Sequence, residues 1–180
     1  YDINALEVEI DKECVDIIAR RQPTAGDLRL IVSIFKTIAD LERIGDQAER
    51  LGRFAIQLNE EGYAVSQFTE LRHLGDLVQS ILRASLDAFA RMDVEDALET
   101  ITEDRRVDSK FDALNRQLIA HMMEDPRTIK SALKIIWCAR ALERIGDHAK
   151  NICEYVVYYV HGEDIRHTSL DKAREVLLED

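Results

Sequence analysis

Among the acidic side chains spaced four residues apart in this chain, four pairs stand in repeated or corresponding places: Glu7/Asp11, Glu42/Asp46, Asp104/Asp108 and Glu143/Asp147. On a helix that spacing projects both carboxylates from one face, about one turn apart. Two of the pairs lie inside the same hexamer, LERIGD, at residues 41–46 and again at 142–147. Each copy is followed two positions later by alanine, Ala48 and Ala149. A hexamer repeated in this way marks an internal repeat. The other two pairs precede a proline, Pro23 or Pro126, that opens the segment carrying LERIGD. Antiparallel packing of the two segments in each half would gather four carboxylates into one patch. Like charges that close raise one another's pKa unless a cation or arginines neutralise them. An all-oxygen donor set without cysteine favours hard cations: magnesium, manganese, calcium or ferric iron.

The glycine of each hexamer, Gly45 or Gly146, costs about 1 kcal/mol relative to alanine in a helix interior. Its presence in both copies points to a close approach, by a neighbouring helix or a metal cluster. In the second half the acidic stripe is longer. Asp112 extends Asp104/Asp108, and Asn151 and Glu154 extend Glu143/Asp147 along one face. A plainer reading makes these pairs a solvated surface. Arg43, Arg50, Arg105, Arg106, Arg144 and Lys150 stand near enough in sequence to partner them.

The remaining reactive side chains add little. His148 follows Asp147, but Gln47 holds that place in the first copy, so His148 reads as a satisfied surface residue. His121, His161 and His167 form no HxxxH or ExxH pattern, and Glu70/His73 is a lone ExxH. Cys14, Cys138 and Cys153 have no CxxC spacing and read as buried free thiols of a reducing compartment. Trp137, Tyr155, Tyr158 and Tyr159 read as core or interface packing. No phosphate-cradling glycine loop, GxSxG elbow or cysteine–histidine pair gives a hydrolase or nucleotide-dependent enzyme any support.

The elements that must position the acidic pairs are helices. Apolar residues recur at helical spacing over 1–21, from about 25 to 60, from Ser66 as a cap to about 92, from Asp93 to about 123, and from Asp125-Pro126 to about 161. Gly62 and Gly162 end the second and fifth segments. Ser169–Leu178 reads as a further short helix within a polar tail. Short polar connections make neighbours antiparallel. The second half has a leading helix that the first half lacks here. The expectation is an all-α chain of two tandem three-helix bundles, residues 1–62 and 63–162, with a polar tail over 163–180. The first bundle would lack its leading helix, the true N-terminus would lie upstream, and an apolar face would be left for another chain to cover.

Composition bounds the partners. The formal net charge is −11, which opposes general nucleic-acid binding, since that needs basic surface against phosphates. It suits a protein that holds cations or meets a basic surface. No apolar run is long enough for a membrane span, and no signal peptide is visible.

Several longer strings carry a resemblance: RQPTAGDLR at 21–29, ADLERIGDQA at 39–48, MMEDPRTI at 122–129, and ARALERIGDHAKNICEYVVYYVHG at 139–162, followed by EDIRH. Together they resemble the PhoU family, accessory proteins of bacterial phosphate-specific transport. The resemblance covers nearly the whole chain. It implies two three-helix bundles related by pseudo-twofold symmetry, with metal clusters on E(D)xxxD patches. Those motifs fall on Glu7/Asp11, Glu42/Asp46, Asp104/Asp108 and Glu143/Asp147, and the implied ions are iron, manganese, magnesium or zinc. The implied function is a cytoplasmic, non-enzymatic negative regulator of the phosphate-starvation response. It would couple the Pst transporter, through its ATPase subunit, to the sensor histidine kinase PhoR, restrain uptake, and form a homodimer. Two other classes stay open on the residues alone. One is a metal-free acidic adaptor. The other is a di-metal carboxylate oxidase, which normally needs an ExxH motif on each of two helices, whereas Glu70/His73 stands alone here.

Overall fold

The computed structural model describes residues 2–62 and 69–165. The expected cap at Ser66, the short helix at 169–178 and His167 lie outside the described residues. Five α-helices follow one another: α1 (Asp2–Arg21), α2 (Ala25–Glu60), α3 (Thr69–Arg91), α4 (Val94–Glu124) and α5 (Ile129–His161). No strand occurs among the described residues. Asp93 caps α4 by accepting from the Asp96 N–H at 3.1 Å, and Asp125 accepts from the Arg127 N–H at 3.1 Å. The segment after Asp125 differs in detail from the expectation. Pro126–Thr128 is a 3₁₀ turn, and α5 proper begins after it. Gly162 takes the left-handed conformation, φ 78°, and ends α5 by donating its N–H to the Tyr158 carbonyl. That geometry favours glycine.

The helices α3, α4 and α5 form a complete three-helix bundle. Its core holds Leu74, Val78, Ile81, Leu98, Val107, Ile152 and Val156, each at most 3% exposed. In the first half α1 packs on α2, and the most extensive interhelical packing of the chain joins α2 to α5. The two long helices bearing LERIGD are therefore the seam between the halves. The first half is the thinner one: Cys14 is the only residue of α1 that is fully buried. Ile3, Leu6, Val8, Val15, Ile17 and Ile18 of α1 and Phe35 of α2 are all 42% exposed or more. The expected uncovered apolar face is thus present.

The glycines of α2 separate packing from propensity. A Cβ on Gly52 would meet nothing within 4 Å. Gly52→Ala should therefore stabilise the chain by about 0.5–1 kcal/mol through helix propensity alone. Urea unfolding checks this, and a loss of stability would mean that Gly52 serves a contact outside the described residues.

Candidate functional site: two carboxylate patches flanking a helix seam

The antiparallel packing brings the acidic pairs together two by two. In the first half Glu7 of α1 is held above the usual carboxylate range, first by burial, then by the charges of Glu42, Asp11 and Asp46, against a lowering by Arg43. In the second half Asp104 is pushed up to about 6, chiefly by burial, with Asp108 and Asp147 adding and Lys150 opposing. Glu143 is raised by burial, Asp147 and Asp108, against Arg140 and Arg144. Asp147 is raised by burial and by Asp108, against Lys150, Arg140 and His148. Each patch thus holds carboxylates that sense one another, the signature of like charge gathered without enough counter-charge.

The arginines and lysine do little to neutralise them. Among the described residues, Glu143 meets Arg140 at 2.5 Å and Asp104 meets Lys150 at 3.8 Å. Among the same described residues, Glu7, Asp11, Glu42, Asp46, Asp108 and Asp147 form no ion pair within 4.0 Å. Arg106 is turned to Glu103 instead, and Arg43 to Asp40. Glu143 Oε2 is buried and has no hydrogen-bond partner. A simple solvated, salt-bridged face would leave neither this orphaned oxygen nor so many unpaired acids.

Gly146 shows how closely α4 and α5 approach at the second patch. A Cβ there would lie 3.1 Å from Asp104 Oδ1 and 3.5 Å from Val107 Cγ1. At Gly45 the corresponding neighbour is Ile3 Cδ1, at 3.2 Å. This corrects the expected correspondence between the halves. Ile3 precedes Asp104 by the same interval as Gly45 precedes Gly146. In the folded register Asp104 therefore matches Ile3, Glu7 matches Asp108, and Asp11 matches Asp112. The segment between the acidic pair and the hexamer is one helical turn longer in the second half, and this shifts the alignment of like motifs. The second patch has a buried acid where the first has an apolar side chain.

The donor set suits a hard cation: carboxylates only, one of them orphaned, several driven toward protonation. As they stand, no three or more of these groups converge on one point among the described residues. Asn151 and Glu154 sit differently from the rest. Asn151 Nδ2 reaches 3.5 Å from Asp40 Oδ1 on α2. Glu154 is buried, and its charge is felt at Cys153.

A polar network that the sequence did not reveal lies in the seam. Asp40 is 1% exposed. Its Oδ1 accepts from His148 Nδ1–H at 2.7 Å and its Oδ2 from the Tyr155 hydroxyl at 2.7 Å. His148 is thus a buried residue joining α5 to α2, not a surface one, because Asp40 supplies the acceptor that makes its burial tolerable. Tyr155 and Tyr158 are capped by the Lys36 ammonium, 5.4 and 5.2 Å from the ring centroids. The three cysteines are free and buried as expected. Burial pushes Cys138 up to about 11 and Cys153 up to about 12, which keeps them unreactive. No described helix is long and apolar enough to cross a membrane.

Known proteins share this fold. The PhoU domain family matches residues 1–55 and 71–156. The phosphate-specific transport system accessory protein PhoU homolog of Pseudomonas aeruginosa is 53% identical over 173 residues, 96% of this chain and 72% of that protein. The Escherichia coli (strain K12) protein, phosphate-specific transport system accessory protein PhoU, is 47% identical over 176 residues, covering 98% and 73%. The crystal structure of PhoU from Pseudomonas aeruginosa superposes with a TM-score of 0.87 over 90% of this chain and 78% of that one, at 53% identity. The phosphate transport system regulatory protein PhoU from Streptococcus pneumoniae gives 0.81 at 31% identity, over 91% and 76%.

Proposed function

The chain belongs to the PhoU family, and on that premise we propose that it is an accessory regulator of a phosphate-specific transport system that represses the phosphate-starvation response. In this reading it is a cytoplasmic, non-enzymatic helical adaptor. It links the transporter's ATPase subunit to the sensor histidine kinase PhoR, restrains uptake when phosphate is plentiful, and works as a homodimer. The observation that supports the reading best is the pair of under-neutralised carboxylate patches, one on each side of the α2–α5 seam.

Glu7, Asp11, Glu42 and Asp46 would hold cations on the first patch, and Asp104, Asp108, Glu143 and Asp147 on the second. Bound cations, iron, manganese, magnesium or zinc, supply the positive charge that the neighbouring arginines do not. The protein's own part is positional. Close approach at Gly146 holds α4 against α5, the seam holds α5 against α2, and the two patches keep a fixed spacing. A partner docking on either patch is then sensed by the whole scaffold.

The test is elemental analysis of protein purified without chelator or metal-affinity resin, beside a variant with Glu42, Asp46, Glu143 and Asp147 changed to Gln or Asn. Several tightly held ions in the parent and few in the variant are expected, with unchanged helicity. In cells the variant should derepress a phosphate-starvation reporter in phosphate-rich medium. Equal metal in both proteins would remove the carboxylates from the ion sites. No metal in either, with repression intact, would leave a metal-free acidic adaptor.

A further inference from the structure

The pseudo-twofold axis that relates the two hexamers also relates two stretches of the α2–α5 seam, and they are not alike. On one side Asp40 is ringed by His148, Asn151 and Tyr155, with Lys36 over the tyrosine rings. The matching positions on the other side are Ala141, Gln47, Arg50, Phe54 and Trp137. Ala141 is 2% exposed and takes the place of Asp40. The carboxylate is gone, but its ring of partners has been replaced by side chains that still suit one. Gln47, Arg50, Phe54, Trp137, Arg140 and Ala141 line a cavity of about 340 Å³ there.

Three features make this a site rather than a dent. First, Gln47 is 7% exposed and its Oε1 is buried without a hydrogen-bond partner, an omission that costs about 1–3 kcal/mol unless a donor arrives. Second, two guanidinium groups stand at the cavity in a chain of net charge −11. Arg50 forms no ion pair within 4.0 Å among the described residues. Arg140 uses Nη1 on Glu143 at 2.5 Å and lies over the Phe111 ring, 5.7 Å from its centroid, and its other N–H groups have no acceptor among them. Third, the wall is aromatic. Phe54 and Trp137 lie with ring centroids 5.5 Å apart, and Trp137 is 48% exposed.

We propose that this cavity receives a carboxylate in trans: an aspartate or glutamate of a partner protein, next to a large apolar residue. The carboxylate takes the place that Asp40 fills on the other side and accepts from Arg50 and Arg140. The backbone N–H of the acidic residue donates to Gln47 Oε1. The apolar neighbour rests on Trp137 and Phe54, where aromatic surface contributes area at low entropy cost. The occupant is a peptide segment, which joins donor, anion and apolar group within one short unit and matches the two arginines by charge. The proposal rests neither on the phosphate reading nor on metal binding.

Trp137 is the chain's single tryptophan, so its fluorescence reads the cavity directly. The probes are blocked dipeptide amides, acetyl-Leu-Asp-amide and acetyl-Leu-Asn-amide, with sodium acetate as a free carboxylate. Acetyl-Leu-Asp-amide should shift Trp137 emission saturably, and the Asn version should bind at least about tenfold more weakly. The exposed Arg50→Gln, which leaves the core untouched, should weaken the Asp probe by at least about fivefold. Ala141→Asp should abolish the shift by supplying the missing carboxylate internally. Helical circular dichroism checks that both variants fold. The proposal is overturned if no probe saturates, if the Asn and Asp probes bind equally, or if Arg50→Gln binds as the parent does. Acetate matching the Asp dipeptide would overturn the peptide occupant in favour of a free small carboxylate.

Discussion

Asp40→Ala should lower the stability of this chain by roughly 3–5 kcal/mol, more than any other single change to a charged residue. The side chain is 1% exposed and spans the seam, accepting from His148 and Tyr155 of α5 at 2.7 Å each. Removing it leaves the buried His148 ring without its partner and opens a polar hole where no compensating group can move in. A loss of this size lowers the melting temperature by about 10 °C in a chain of this length. The other half of the molecule shows how the loss can be moderated. There Ala141 and Gln47 occupy the matching positions and the seam is still closed. Asp40→Ala combined with His148→Gln should therefore recover at least about 1 kcal/mol relative to the sum of the single changes. Urea unfolding of the four proteins in this cycle gives the coupling. A single-variant loss below about 1 kcal/mol, or strict additivity, would mean the network is incidental to the seam. Since the seam carries both carboxylate patches, Asp40→Ala should also loosen their mutual placement.

The helices were legible because their signals are local. Asp93 and Asp125 as caps, Gly162 as a left-handed stop, and the apolar periodicity of α2 and α5 act within a few residues, and tertiary packing agrees with them. The gathering of acidic pairs was legible too, because identical hexamers on antiparallel helices leave little choice of facing surface. Register was not. The motif pairs suggest that Asp104 matches Glu7, yet the close approach at Gly45 and Gly146 aligns Asp104 with Ile3. Connection length decides that, and motif spacing does not report it. Asp40 was missed for a different reason. A single acid after Ile38 and Ala39 has only the exposed Arg43 at helical spacing, and its buried donors are supplied by the distant helix α5. One signal did exist. Between the two repeats Asp40 changes to Ala141 while His148 changes to Gln47, two compensating differences across the seam. Trp137 reads as core or interface packing from the sequence, and in the fold it packs on Phe54 and lines a cavity that only the assembled seam creates.

Asp104→Asn should make the metal-free protein more stable at neutral pH, by up to about 3 kcal/mol. Asp104 is 3% exposed, and its pKa is raised from 3.8 to about 6, with burial the largest cause. The sign follows from proton binding. Between those two values the folded state holds a proton that the unfolded state has released, so stability falls as pH rises. The favourable contribution is complete below about 4 and gone above about 6. Lys150, 3.8 Å away, offsets only part of the charge. An amide keeps the shape beside Gly146 and has no charge to desolvate. Unfolding in urea across pH 4–7.5, with chelator, should therefore give parent and variant curves that diverge as pH rises and run parallel above about 7. Adding the metal found in the purified protein should reverse the order at pH 7.5, because a bound cation stabilises the ionised Asp104 and does much less for an amide. Curves that stay parallel throughout would mean that Asp104 is not held against its charge. Divergence without reversal would mean that the buried acid is strained for some purpose other than holding an ion. Divergence with reversal would support the proposed ion site, at a buried acid that stands where the other half carries Ile3.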